Sequence, residues 1–72
     1  MDPSLTQFLD AETVEKKLEV LFRERNRLTP KTLTLIELSL GLEVQEGSAE
    51  DRYQRIRSNL QTRKKYERHR PG

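Results

Sequence analysis

Residues 28–42 read LTPKTLTLIELSLGL, and this stretch carries a helix start at one end and a helix stop at the other. Thr29 is a favoured N-cap residue, Pro30 suits the first helical position, and Leu28 can pack back onto the first turns. Gly41 can adopt the left-handed backbone conformation that closes a helix. The stretch therefore predicts a helix, called helix B here, that begins at Pro30 and ends before Gly41.

A strand is the competing interpretation, because residues 32–35 alternate Thr and Leu. We favour the helix because the start and stop signals match at both ends. As a helix, the stretch has two apolar stripes, the first formed by Leu33, Ile36 and Leu40 and the second by Leu35 and Leu38. Helix B is apolar over much of its circumference and is therefore predicted to be the central, most buried element.

Two further helices are predicted, one on each side of helix B. Helix A spans roughly residues 11–26, with Asp10 as its N-cap and one apolar stripe at the spacing i, i+4, i+7 and i+8. Helix C starts near Ala49, after Ser48 as a capping residue, and continues to about Arg68. The stripes of the three helices give a predicted core of Val14, Leu18, Leu21, Phe22, Leu33, Ile36, Leu40, Tyr53, Ile56 and Leu60.

The predicted fold class is all-α: a compact three-helix bundle over residues 10–62, with a helix-turn-helix or winged-helix-like arrangement as options. Residues 1–9 form a loosely ordered N-terminal segment, in which the apolar patch of Leu5, Phe8 and Leu9 could be a helical turn folded back over the core. Residues 63–72 form a basic C-terminal extension. The last turns of helix C have no apolar stripe to bury, so this end of the helix should protrude or fray.

Catalysis requires titratable groups held in a pocket, and this chain offers few of them. It has 72 residues, no Cys and one imidazole, His69, two residues before Pro71. Its three glycines are isolated, so no glycine-rich phosphate loop is present. We therefore expect a protein that is not an enzyme and has no cofactor, no metal site and no small-molecule substrate.

The chain also lacks the features of a membrane or secreted protein. No apolar run approaches the ~20 residues that cross a bilayer, and the N-terminus lacks the basic start and hydrophobic stretch of a secretion signal. We expect a soluble, intracellular protein, cytoplasmic or nuclear, that has no membrane partner.

The charge of the chain is segregated. Residues 52–70 contain eight of the 14 Lys and Arg and a single acid, Glu67, for a net charge of +7. Residues 1–51 contain six bases and eleven acids, for a net charge of −5. Segregated charge creates a local field that an anionic partner can feel.

A polar ribbon is predicted on helix C, on the face opposite its apolar stripe. Its members are Arg55, Asn59, Thr62 and Tyr66, flanked by Arg52 and Arg63. Arg can bind guanine edges or phosphate, Asn can pair with adenine, and Tyr can stack on a base, so such a helix fits a major groove. The alternative is an ordinary solvated helix face.

The predicted function is a non-enzymatic nucleic-acid-binding or transcription/chromatin-regulatory module, which contacts phosphates of DNA or RNA through the basic third helix and tail. The candidate contact residues are Arg52, Arg55, Asn59, Thr62, Arg63, Lys64, Lys65, Tyr66, Arg68 and Arg70. The same basic tail could instead dock on an acidic protein surface or act as a nuclear localisation signal. The alternative function is a protein-protein interaction adaptor or homodimerising domain, whose interface would be Leu35, Leu38 and Leu42 on helix B.

A family resemblance follows from the same helices. Residues 28–33 and 36–42 are similar to the capped middle helix of the DEK C-terminal domain, a small helical module of chromatin-associated proteins. The similarity covers most of residues 10–62 and extends to Val14, Leu18, Leu21, Asp51, Arg52, Tyr53, Ile56 and Leu60. It implies a winged-helix-like or three-helix arrangement and a role in DNA or protein binding, with Arg52, Arg55 and the following basic residues as contacts. The long loop at residues 45–47 and the acidic first half of the chain depart from that pattern.

Overall fold

The computed structural model describes residues 2–44 and 46–68 of the chain. Within these ranges there are four α-helices, one short 3-10 helix and no strand, and together they form a compact globule. The helices are α1 (Pro3–Asp10), α2 (Val14–Arg23), α3 (Pro30–Ser39) and α4 (Ala49–Arg68), and the 3-10 helix is Arg25–Arg27. The predicted all-α class is confirmed, and α2, α3 and α4 correspond to helices A, B and C.

Helix α3 starts and stops where the sequence predicted. The Thr29 hydroxyl oxygen accepts a hydrogen bond from the Thr32 amide at 3.2 Å, and Pro30 occupies the first helical position. The helical structure of residues 32–35 excludes the strand alternative.

The end of α3 is a glycine-closed turn. Gly41 has a φ of 75°, in the left-handed region that favours glycine. Its amide donates to the Leu38 carbonyl at 3.0 Å, and the Leu42 amide donates to the Glu37 carbonyl at 2.9 Å. These paired bonds satisfy carbonyl groups that the helix end leaves free.

Helix α1 is the main addition to the predicted fold. Asp2 caps it by accepting a hydrogen bond from the Ser4 amide at 2.9 Å, and Pro3 occupies its first position. Asp10 therefore ends α1 and does not cap helix A, so that predicted cap is wrong. The N-cap of α2 is Thr13, whose hydroxyl accepts from the Lys16 amide at 3.1 Å. Helix A is correspondingly shorter than predicted.

The apolar side of α1 is part of the core. Leu5 and Phe8 are buried, so the structure adopts the alternative in which this segment folds back over the core. Lys17 covers the end of α1, because its ammonium donates to the Phe8 carbonyl at 2.9 Å and lies 4.8 Å from the Phe8 ring centroid. Partial burial lowers the pKa of Lys17, an effect that the charge of Asp10 opposes.

Polar side chains connect α1 to both neighbouring helices. The Thr32 hydroxyl on α3 donates a hydrogen bond to the Asp2 carboxylate. The Ser4 hydroxyl donates to Glu24 Oε1, just after α2, at 3.2 Å. Because Ser4 and Glu24 are both buried, this contact satisfies groups that would otherwise be costly to remove from water.

The core matches the predicted one at most positions. Its buried members are Leu5, Phe8, Leu21, Leu33, Ile36, Leu40, Tyr53, Ile56 and Leu60. Val14 and Leu18 are half-buried and pack against this cluster. Phe22 was wrongly placed in the core, since it is 60% exposed. Helix α1, which the predicted core omitted, covers the other side of α2 and leaves Phe22 at the edge of the stripe.

Asp2 provides a test of how α1 is attached. The hydrogen bonds from the Thr32 hydroxyl and the Ser4 amide hold the pKa of the Asp2 carboxyl below its usual value of 3.8. A lowered folded-state pKa adds stability above the unfolded value, and that stability is lost as the pH falls through the folded value. We expect Asp2→Asn, which keeps a capping oxygen, to lower the free energy of unfolding near neutral pH and to change it little in strong acid.

Urea unfolding followed by far-UV circular dichroism across the acid range measures this difference. Asp2→Ser keeps a capping oxygen but also removes the charge, and it should behave like Asp2→Asn. If the wild type and both variants lose stability in parallel as the pH falls, the attachment through the Asp2 charge is contradicted.

Candidate nucleic-acid interface on helix α4

Helix α4 has 20 residues and is therefore about 30 Å long. Its core residues, Tyr53, Ile56 and Leu60, all lie in its first twelve positions. Residues 61–68 continue the helix past the last core residue. The C-terminal part of α4 is thus the place where basic side chains meet solvent.

Arg52 is held inside the fold. Its Nε donates to Glu37 Oε1 at 3.0 Å, and its Nη2 reaches the same carboxylate oxygen and the Thr34 hydroxyl, the latter at 2.8 Å. The side chain of Glu37 is fully buried and that of Arg52 is 11% exposed. The charge of Arg52 is therefore neutralised by α3, and the contact surface proposed below leaves this residue out.

Arg55 and Asn59 are half-buried. The atoms Arg55 Nη1 and Asn59 Oδ1 are buried and have no hydrogen-bond partner among the described residues. Asn59 shares a side of α4 with Arg52 and Arg63, at the spacing i, i+7 and i+11, and both arginines bond to α3 or its end. The predicted ribbon thus begins beside the apolar stripe and not on the opposite face.

Arg63 and Lys64 attach the next turn of α4 to the body of the protein. Arg63 is exposed, and its Nη2 donates to the Leu40 carbonyl at the end of α3, at 2.5 Å. A cation at a helix C-terminus complements the helix dipole and keeps its charge. The Lys64 ammonium lies 3.8 Å from the Glu15 carboxylate, which is 72% exposed, so this pair is weak.

The remaining candidates beyond Leu60 face solvent. Thr62, Lys65 and Tyr66 are exposed, and Tyr66 has 74% of its surface accessible. Arg68 ends α4, while Arg70, together with His69, lies outside the described residues. The structure thus brings Thr62, Arg63, Lys64, Lys65 and Tyr66 together on about one and a half turns.

Arg57 is an exposed cation that the predicted contact residues did not include. It precedes Lys64 by seven residues, and this spacing places both on the same side of α4. The spacing was visible in the sequence, but the predicted ribbon followed a different side of the helix.

An open cleft of about 310 Å³ lies beside the first turns of α4. Its apolar lining consists of Phe22, Leu28, Leu33, Ala49 and Tyr53, and its polar lining of Arg25, Asn26, Glu50, Gln54 and Arg57. The Arg25 guanidinium lies 4.3 Å from the centroid of the Phe22 ring, within the range of a cation–π contact. The helical spacing of Phe22 predicted a core position for it, and for this reason the cleft could not be predicted from the sequence.

No grouping of three or more His, Cys, Asp or Glu side chains that could hold a metal ion occurs in residues 2–44 and 46–68. Over the same ranges, no helix combines the length and apolarity needed to cross a membrane. Comparisons of the chain with protein-family models, curated proteins and solved structures find no match.

The Glu37–Arg52 pair gives a stability prediction. Arg52→Met would leave the fully buried Glu37 carboxylate without its counter-charge, and we expect the free energy of unfolding to fall by about 3 kcal/mol. The double variant Glu37→Met/Arg52→Met removes both charges and should regain most of that loss. Arg57→Met changes an exposed arginine and should stay within about 0.5 kcal/mol of the wild type.

Urea unfolding of the four proteins at neutral pH measures these differences. If Arg52→Met is as stable as the Arg57→Met control, a structural role for the Glu37–Arg52 pair is contradicted.

Proposed function

We propose that this chain is a non-enzymatic nucleic-acid-binding module that contacts phosphates through the basic segment of α4, defined as Arg57, Arg63, Lys64 and Lys65. The observation that carries the proposal is that these four cations stand on one helix whose last core residue is Leu60. Cations on such a helix can approach a polyanion without disturbing the core.

The charge balance around the basic segment supports a polyanionic partner. Residues 53–66 contain no acidic side chain, and they contain five Lys and Arg. Among the side chains that the structure describes, those of residues 2–44 and 46–66, the one carboxylate within 4 Å of the basic segment is the exposed Glu15; Glu67 follows next in the sequence. Since exposed pairs are weak and screened by salt, most of this positive charge stays uncompensated.

The neighbours of the basic segment add groups suited to nucleic acid. Thr62 has an exposed hydroxyl, which donates to the Ser58 carbonyl at 3.1 Å and would exchange that bond for one to a phosphate. Tyr66 offers an exposed ring for stacking or a hydroxyl for hydrogen bonding. The winged-helix-like arrangement of the helices stays a prediction. So do the role in transcription or chromatin regulation and the resemblance to the DEK C-terminal domain.

Salt-dependent binding tests this function. We expect the chain to bind labelled nucleic acid in fluorescence anisotropy titrations and to lose affinity steeply between about 50 and about 200 mM salt. Lys64→Gln/Lys65→Gln should weaken binding and make it less dependent on salt. The magnitude of the negative slope of log affinity against log salt should decrease by about 0.7 to 0.9 for each phosphate that the variant no longer neutralises. Duplex DNA, single-stranded DNA and RNA are the probes.

The matched control is Lys16→Gln/Lys31→Gln, which removes the same charge from two exposed lysines on α2 and α3. It should retain nearly all of the affinity. Absence of binding to every probe at low salt would contradict the proposed function, and equal effects of the two double variants would show that net charge alone is sensed.

The exposed leucines of α3 favour a second candidate function, self-association or docking of a protein partner. Leu35 is 39% exposed and Leu38 is 57% exposed, and the adjoining loop contributes Val44, which is 48% exposed. Leu42, the third predicted interface residue, is half-buried and packs on the core. The available apolar surface on α3 is therefore Leu35 and Leu38.

If the exposed leucines serve self-association, the chain should form a dimer that depends on Leu35 and Leu38. Sedimentation equilibrium should then give twice the chain mass of 8.5 kDa, and Leu35→Gln/Leu38→Gln should give the mass of one chain. Leu9→Gln is the control, because Leu9 is an exposed leucine on α1 with 43% of its surface accessible. A wild-type chain that remains monomeric at all concentrations contradicts self-association.

A further inference from the structure

Phe22 is an aromatic side chain that the fold leaves at the surface. It lies at the edge of the apolar stripe of α2 and is 60% exposed, although α2 has a core on one side. The guanidinium of Arg25 lies over one face of the ring, 4.3 Å from its centroid, so a neighbour orients the ring and a base would stack on the exposed remainder. An accessible, oriented ring next to a cleft is a suitable stacking platform.

The cleft beside Phe22 has an apolar base and a polar rim. Leu33 and Tyr53, which line it, are 1% and 8% exposed and belong to the core. Asn26 and Gln54, two residues with amide side chains, also line it. A ligand that suits this lining has a flat apolar body and hydrogen-bonding groups at its edge, which are the properties of a nucleobase.

The charges around the cleft favour a ligand whose flat apolar part is attached to an anionic group. Arg25 and Arg57 contribute two positive charges, and Glu50 contributes the one negative charge among the lining residues. The Glu50 carboxylate accepts a hydrogen bond from the Gln54 amide at 3.0 Å. The lining thus carries a net charge of +1, which suits a base joined to a phosphate.

The cleft is continuous with the basic segment of α4, because Arg57 belongs to both. Lys64 stands seven residues further along the same side of the helix. A nucleic-acid strand with one base in the cleft could therefore pass its following phosphates along α4. A paired base in a duplex is stacked on both faces, so only an unpaired base can reach the Phe22 ring.

We infer that the cleft between α2, α3 and α4 binds an unpaired base of a single-stranded nucleic acid, with Phe22 as the stacking surface and Arg25 and Arg57 as phosphate contacts. The inference rests on the proposed nucleic-acid binding and adds its substrate class. It also assigns a site to residues outside the basic segment.

The test compares three labelled DNA probes of equal length: a thymine strand, the same strand paired in a duplex, and an abasic strand that keeps the phosphates. We expect Phe22→Leu, which keeps an apolar side chain but removes the ring, to weaken binding of the thymine strand about tenfold. Binding of the abasic strand should not change. Phe22→Tyr keeps the ring and should restore binding of the thymine strand to within about twofold of the wild type.

A second measurement does not depend on any variant. In nuclear magnetic resonance spectra of the wild-type chain, the methyl signals of Leu28 and Leu33 should shift when the thymine strand is added, because a bound base places a ring current beside them. The abasic strand should leave these signals in place. Equal shifts with both strands, or none with either, would overturn the inference even if Phe22→Leu fails to fold.

The remaining outcomes separate the two proposals. If no probe binds at low salt, both the proposed function and this inference fail. If all three probes bind alike and Phe22→Leu changes none of them, the base-binding inference alone fails. If an oligoglutamate peptide shifts the Leu28 and Leu33 signals and the thymine strand does not, the cleft recognises an acidic protein segment and the inference is overturned.

Discussion

The ion pair between Glu37 and Arg52 is the contact on which the arrangement of this small protein depends. Glu37 is fully buried on α3, and a carboxylate removed from water is costly unless a counter-charge and hydrogen bonds compensate it. Arg52 provides the counter-charge and two hydrogen bonds to Glu37 Oε1, whereas Glu37 Oε2 has no hydrogen-bond partner among the described residues. The further contact of Arg52 to Thr34 fixes the guanidinium between two turns of α3. The pair joins α4 to α3 beside the apolar stripe of Tyr53, Ile56 and Leu60, which buries the same side of the helix. The side chains on the other sides of α4 are therefore the ones that reach solvent.

The packing of α4 also decides which of its cations keep their charge: Arg52 is neutralised inside the fold, whereas Arg63 bonds a neutral carbonyl and stays charged and exposed. The side that faces α3 places Arg52 on a carboxylate, Arg63 on the last carbonyl of α3, and part of Asn59 in the interior. The sides that turn away present Arg57 and Lys65 to solvent. Residues 52–70 have a net charge of +7, but fewer of their cations are accessible to a partner than this number suggests. Arg57, one of the accessible ones, lines the cleft beside the exposed Phe22. Net charge alone therefore overstates the surface offered to a polyanion.

Sequence patterns predicted the structure correctly where a residue type is required by the local backbone conformation. Thr29 and Pro30 marked the start of α3, and Gly41 marked its end, because capping and a positive φ are decided within a few residues. Asp2 and Pro3 carry the same kind of signal for α1, so this helix could have been found by the same rule. Buried Glu37 was also visible in principle. It lies four residues after Leu33 and three before Leu40, which places a charge at a core-facing position.

Local chemistry along the chain settled the all-helical class, the limits of α3, the start of α4 and most of the core residues, since helix caps and apolar periodicity act over short distances. Packing between helices settled what the periodicity left open. It placed α1 against α2, moved Phe22 from the expected core to the rim of a cleft, and paired Arg52 with Glu37. A helical stripe defines a side of a helix only to within a wide angle, and neighbours that are distant in the chain decide which edge of that stripe is covered. For this reason the positions of the accessible cations and of the aromatic ring could be obtained only from the folded chain.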